Sequence, residues 1–150
     1  MAKKIIKDQT IVEDSYTIID TQETLPAGDV LVPYSRWLAQ RETFDAHHGK
    51  VGVIVNGHDY DIYAIGQQLA KQALIALEFP AFTDGRCYSF ATLLRQRFDF
   101  KGEIRAIGNV LKDQLNYMHR CGINAFDIEE GRDIETALKG IRDFSLAYQT

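Results

Sequence analysis

Apolar residues follow two different rhythms along this chain, and the change between them divides it in two. Through the first twenty residues β-branched and polar residues alternate, in Ile5-Ile6, Thr10-Ile11-Val12 and Tyr16-Thr17-Ile18-Ile19. That period of two predicts a short hairpin, or two extended arms, with a turn at Asp8-Gln9 or at Glu13-Asp14. Pro26-Ala27-Gly28-Asp29 reads as a turn into the apolar run Val30-Leu31-Val32. Pro33 suits the first turn of a short amphipathic helix carrying Tyr34, Trp37, Leu38 and Arg41, because its missing N–H costs nothing there.

From Val51 onward, apolar runs of strand length alternate with stretches of helical periodicity. Strands are expected at 51–55, 74–77, 103–107 and 125–128, and helices at about 59–71, 86–98, 110–120 and 134–148. Strands that are apolar throughout are buried on both faces, which predicts a mainly parallel sheet covered by helices. Consecutive βα units fit a partial (βα)-barrel or an open doubly wound sheet, and the pattern admits both. Either architecture places functional groups at the carboxyl ends of the strands. The connections are short, so the chain reads as one α/β domain over 1–150, an extended or hairpin arm at 1–24 followed by βα units at 25–150. Four βα units leave sheet faces and edges to be covered, and a homodimer is the expected remedy.

Composition narrows the classes of function. Hydrophobic residues at 45% and charged residues at 25% are ordinary globular values. A formal charge of −4 gives no electrostatic footprint for nucleic acid, and no polybasic cluster marks a membrane surface. No apolar run approaches the ~18 residues of a spanning helix, and the start turns polar too early for a signal peptide. Cys87 and Cys121 lack Cys-x-x-Cys spacing and read as reduced thiols of a cytoplasmic protein. His47-His48 sits in a polar loop without a ligand set. With no zinc spacing, Ser–His–Asp order or glycine-rich nucleotide loop, neither a metal nor a cofactor is expected.

The chemistry concentrates after the strand that ends near Leu77. The loop Glu78-Phe79-Pro80-Ala81-Phe82-Thr83-Asp84-Gly85-Arg86 opens a helix whose apolar arc is Cys87, Phe90, Ala91, Leu94 and Phe98, with Arg86, Tyr88 and Arg95 off that arc. Arg86 in a first helical turn meets the positive end of the helix dipole. Asp84 as N-cap relieves that conflict, and so does a bound anion held by the free N–H groups together with Arg86. Arg105, inside the run Ile104-Arg105-Ala106-Ile107, needs a partner in a doubly covered strand, and Glu78, Asp84 and Asp127 are the carboxylates placed to supply one. Gln114 falls in the apolar arc of Leu111, Leu115 and Met118, where an amide left without hydrogen bonds costs about 1–3 kcal/mol. Asp113, Tyr117 and Arg120 flank it. The candidate anion site is therefore Asp84, Gly85, Arg86, Tyr88, Ser89, Arg105, Gln114 and Arg120. Glu78, Asp84 and Asp113 are the acid–base candidates if the protein is an enzyme. The plainer account makes Asp84–Arg86 a capped helix start, Arg105 a structural ion pair, and the chain an interaction module.

Several of these strings resemble a known family. Phe79 to Arg86 with Tyr88-Ser89, Phe100-Lys101-Gly102-Glu103 with Arg105-Ala106 and Gly108, Asp113-Gln114, Arg120-Cys121-Gly122, Ala125-Phe126 and Tyr148-Gln149 are similar to the bacterial domain of unknown function 934. Val32-Pro33 and Arg36-Trp37-Leu38-Ala39 resemble its amino-terminal half, so the likeness covers about residues 25 to 149. Cys87 stands where that pattern has glycine and Ile123 where it has phenylalanine. Members are commonly labelled oxidoreductases of sulfite reduction. The resemblance implies a setting in sulfur assimilation, with sulfite reductase or a small oxyanion as partner, and implies no cofactor. It leaves two functional readings: an accessory or small-anion-binding protein of assimilatory sulfite reduction, or an enzyme acting on an anionic small molecule.

Overall fold

The computed structural model describes residues 3–56, 60–80, 85–110, 112–128 and 133–148. Its first two strands, β1 (Lys4–Lys7) and β2 (Thr10–Glu13), form the expected hairpin. The turn is Asp8-Gln9, both in the left-handed region at φ 51° and 61°, as the twist of a two-residue hairpin loop requires. Six parallel strands follow: β3 (Thr17–Ile18), β4 (Val30–Pro33), β5 (Val51–Asn56), β6 (Leu74–Phe79), β7 (Glu103–Gly108) and β8 (Ala125–Phe126). β1 pairs antiparallel with β8, so the eight-stranded sheet runs β2-β1-β8-β7-β6-β5-β4-β3.

That order decides between the two architectures. From β3 to β8 every parallel strand lies beside its predecessor, and the order never reverses as it must in a doubly wound sheet. Right-handed crossovers in one direction put all their helices on one face. These helices are α1 (Tyr34–Ala39) and α2 (Arg41–Asp45), α3 (Ile62–Leu69), α4 (Arg86–Gln96), α5 (Leu115–Arg120, after a 3-10 turn at Lys112–Gln114) and α6 (Ile134–Tyr148). The cores follow suit. Val53, Val55, Ile75, Leu77, Ile104, Ala106 and Phe126 pack with Ile65, Leu69, Phe90, Leu94, Leu115 and Met118 in the large cluster. The alternate residues Leu31, Leu74, Ala76 and Ile107 form a smaller one on the opposite face.

The opposite face is concave, and chain connectivity requires it. β2 and β3 are the two edges of the sheet, yet only residues 14–16 join them. Eight strands laid flat would hold their edges about 34 Å apart, whereas the four peptide units from Glu13 to Thr17 reach about 14 Å. The sheet must curl. The interior is accordingly tight at Gly52, where a Cβ atom would meet Leu31 Cδ1 at 2.8 Å and Leu74 Cβ at 3.0 Å.

Three expectations shift in detail. Pro33 closes β4 and precedes α1, and the single helix expected there breaks at Gln40 into α1 and α2. The helix expected from about residue 59 begins at Ile62, with Asp61 accepting the Tyr63 N–H as its cap. Arg95, placed off the apolar arc of α4, is a partly buried staple: it donates to the carbonyls of Gly122, Phe100 and Gly102 at 2.8–2.9 Å. It so ties the turns before β7 and β8 to the helix between β6 and β7.

Two outcomes test this packing. Gly52→Ala is expected to destabilise the protein by about 1–3 kcal/mol in urea unfolding; a neutral result would mean that the concave interior is looser than described. Arg95→Lys is expected to lose about 1.5–3 kcal/mol, since an ammonium group cannot span three fixed carbonyls.

Candidate functional site

The two ends of the curled sheet differ. At the carboxyl ends of β5 and β6 a cavity of about 410 Å³ is lined by Tyr60, Asp61, Ile62, Gly85, Arg86, Ser89 and Phe90. It lies where the N-termini of α3 and α4 meet. α3 is capped by its own Asp61 carboxylate; α4 starts from Gly85, which has no side chain of its own to serve as a cap. Arg86 and Ser89 are exposed there, while Cys87 turns inward and its thiol donates to the Glu78 carbonyl at 3.4 Å. Asp84 lies outside the described residues.

Tyr88, expected off the buried arc, is half-buried and packs against the core. It meets Phe79 edge-on at 5.2 Å and stacks on Tyr117 at 4.7 Å, with 15° between the rings. Its hydroxyl donates to Gln114 Oε1 at 2.9 Å, which fixes the 3-10 turn against α4. Burial above all, helped by Cys121 and Tyr117, pushes the Tyr88 pKa up, so the phenol keeps its proton and remains the donor. Asp113 is exposed on that turn, Arg120 ends α5, and Glu78 is exposed at the end of β6, in register with Asn56 and Ile107. Gly108, at φ 82°, leaves β7 so close to Phe79 that a Cβ would sit 2.7 Å from its carbonyl oxygen.

Arg105 does not join this group. It points into the concave face near the amino end of β7, beside a second cavity of about 560 Å³ lined by Lys7, Asp14, Tyr16, Lys50, Lys101 and Glu103 among others. Its side chain is 2% exposed. The partner it was expected to need exists, but it is none of the three carboxylates proposed. Nε and Nη2 each lie 2.8 Å from Glu103 Oε2, two residues earlier on the same strand face, and Nη1 lies 3.1 Å from Asp14 Oδ1. Lys7 approaches Glu103 Oε1 at 3.3 Å, and the Tyr16 ring faces the guanidinium with its centroid 5.3 Å away. Burial, then the Glu103 and Asp29 carboxylates, pushes the Tyr16 pKa up to about 12. Asp127, one of the expected partners, pairs with Lys3 at 2.7 Å. Of the sequence-derived set, Gly85, Arg86 and Ser89 line the carboxyl-end cavity, Tyr88 and Gln114 are hydrogen-bonded to each other beside it, and Arg105, near the amino end of β7, and Arg120, the last residue of α5, stand apart from it. Tyr60 and Asp61 were not foreseen as cavity residues; the only signal was an Asp immediately before an amphipathic run.

Residues 52–150, about two thirds of the chain, match the family described as bacterial protein of unknown function, DUF934. The chain belongs to this family. The DUF934 match begins at Gly52, so β1 to β4 and the likeness noted at Val32-Pro33 and Arg36 to Ala39 precede it. Both cavities draw on DUF934 residues, but the second is completed by Lys7, Asp14 and Tyr16 from outside the matched span. No curated protein matches the chain. No group of three or more His, Cys, Asp and Glu among the described residues is arranged to hold a metal ion, and no described helix is long and apolar enough to cross a membrane.

The connection across the amino end carries an acid-sensitive contact. Asp29 accepts from the Lys50 N–H at 2.9 Å and from the Ser15 hydroxyl at 2.8 Å, and these bonds, in that order, hold its pKa below the ordinary carboxylate value. The unfolded chain therefore takes up this proton more readily than the folded one. The stabilisation is complete above the unfolded pKa and is lost as pH falls through the lowered folded value. Urea midpoints measured from about pH 6 down to about pH 2 should fall less steeply for Asp29→Asn than for the native chain. Equal slopes would remove Asp29 from the acid response.

Proposed function

We propose that this DUF934 protein binds a small oxyanion in the carboxyl-end cavity and serves as an accessory of assimilatory sulfite reduction. The observation that carries the reading is the meeting, in one cavity, of the α4 first turn with the Arg86 and Ser89 side chains. Backbone N–H groups at a helix start, a guanidinium and a hydroxyl are all donors, and a tetrahedral oxyanion offers acceptors to each. Tyr60 and Phe90 supply apolar walls that limit competition from water. The sulfur setting is supported by the family resemblance alone; phosphate would satisfy the same donors. Its partner in that role is the oxyanion itself or sulfite reductase carrying it.

The alternative of an enzyme acting on an anionic small molecule draws on Glu78, Asp84 and Asp113, of which Asp84 lies outside the described residues. Glu78 and Asp113 are exposed and line no part of the cavity that holds Arg86, and the carboxylate that does line it, Asp61, is engaged as the cap of α3, which supports binding ahead of acid–base chemistry. The test is thermal melting at fixed ionic strength with sulfite, sulfate or phosphate against chloride. A ligand bound to the folded state alone stabilises by about 2.7 kcal/mol at one hundred times its dissociation constant. The expected result is a saturable rise in Tm with one anion that Arg86→Ala weakens. If all anions act alike, or the variant responds as the native chain does, the cavity is no anion site and the α4 start is structural.

A further inference from the structure

We propose that the amino-end cavity is a second anion site, whose ligand position is filled here by the protein's own Asp14 carboxylate. The wall of this cavity of about 560 Å³ contains a guanidinium that is almost wholly buried. Its two carboxylate partners are held in very different ways. Glu103 is part of β7, hydrogen-bonded on both sides in the sheet, and is shared with Lys7. Asp14 comes from the three residues that run between the sheet edges; its N–H is held by the Lys3 carbonyl at 2.7 Å, but its carboxylate meets Arg105 through Nη1 alone, at 3.1 Å, against two contacts of 2.8 Å for Glu103. It is the detachable half of the pair.

Charge balance defines what can replace it. The cavity is lined by Lys7, Lys50, Lys101 and Arg105 on one side of the account and by Asp8, Glu13, Asp14 and Glu103 on the other, four against four. Removing Asp14 leaves four cations against three anions, with the excess charge on the buried Arg105. A ligand with a single negative charge restores the balance. Nε and Nη2 stay with Glu103, so the ligand takes over the Nη1 contact that Asp14 gives up, and its class is a small carboxylate, like the group it replaces, or another planar singly charged oxyanion. Entry of that ligand releases Asp14, and with it the connection that holds the sheet edges together. The site is thereby coupled to the curl of the sheet, and Asp14 acts as an internal competitor that keeps affinity low until the connection opens.

Asp14→Asn tests this with little change of shape, since the amide oxygen can still accept the Tyr16 N–H that Asp14 Oδ1 now accepts at 3.0 Å. Thermal melts of this variant with acetate against chloride, at fixed ionic strength, should show a saturable rise in Tm. Its half-saturation should lie at least tenfold below that of the native chain, and adding Arg86→Ala should leave the response intact. Nitrate acting as acetate does supports a site for planar mono-anions; no effect of nitrate supports one restricted to carboxylates. An Asp14→Asn protein that responds equally to acetate and chloride overturns the proposal, and a response abolished by Arg86→Ala assigns the binding to the other cavity and overturns it as well. Should Asp14→Asn fail to fold, the native chain decides. Saturating acetate should speed amide exchange at Thr17 in β3, the strand this connection leads into, and at Ile19 just after it, whose N–H groups donate to the Asp29 and Leu31 carbonyls, and leave β5 to β7 unchanged. Unaltered exchange there overturns the proposal too.

Discussion

Everything in this fold depends on bringing the two edges of an eight-stranded sheet within reach of three residues. The curl that achieves this turns one face of the sheet inward, where water is excluded and side chains from distant strands meet. Apolar residues fill most of that interior, but the amino-end layer is ionic: Lys7, Glu103, Arg105 and Asp14. A buried ion pair is seldom a net source of stability against apolar residues of the same shape, yet breaking one partner away is expensive, about 3–5 kcal/mol. Here that asymmetry serves geometry. Arg105 is anchored to its own strand by Glu103, and the one remaining carboxylate it recruits belongs to the connection between the edges. The pair thus favours the curled sheet over any arrangement in which residues 14–16 stand away from β7.

The monotonic strand order then divides the molecule between its ends. Because all crossovers run in one direction, the carboxyl ends of β5 and β6 lie beside the starts of α3 and α4, whose residues Asp61, Ile62, Gly85 and Arg86 line a shared cavity. The hairpin and the connection close the opposite end, and α6 holds the hairpin in place: Arg142 donates to the Gln9 carbonyl in the Asp8-Gln9 turn, and Ala137, Leu138 and Ile141 are buried. One end presents donors on exposed side chains; the other spends its charges on itself. The residues that perform this closing precede the span that marks the family, so the shared part of the chain supplies Arg105 and Glu103 while the arm supplies Lys7, Asp14 and Tyr16.

How much of this could be read from residues alone follows from which interactions are local. The parallel strands were legible because burial on both faces makes each an unbroken apolar run, and the hairpin because its period is two. Strand order was not, since adjacency in a sheet is set by crossover direction, which leaves no mark on periodicity; both architectures remained open until the pairing was seen. Arg105 was correctly judged to need a carboxylate. Its partners differ from the expected ones because a side chain third in its strand lies near the amino end, away from the carboxyl ends where carboxylates were expected, and within reach of a connection about ninety residues earlier. Arg95 was missed for a related reason. A helical wheel scores it as off the apolar arc, but its stem lies along the core and its guanidinium reaches carbonyls in turns that only tertiary packing brings near.

These arginines also show what separates scaffold from site. Arg95 and Arg105 sit in the midst of apolar sequence, and each has its N–H groups turned to protein oxygens at 2.8–3.1 Å, carbonyls for one and carboxylates for the other. Arg86 is exposed, at the start of a helix whose dipole opposes its charge, beside a cavity. The helix dipole does not favour a cation at that position, so what Arg86 contributes there depends on groups beyond its own first turn. Arg105 has its opposite charges supplied within the fold, by its own strand and by the connection between the sheet edges. A guanidinium enclosed in this way is scaffold, because the cost of leaving it unpaired ties the strand and the connection to one another.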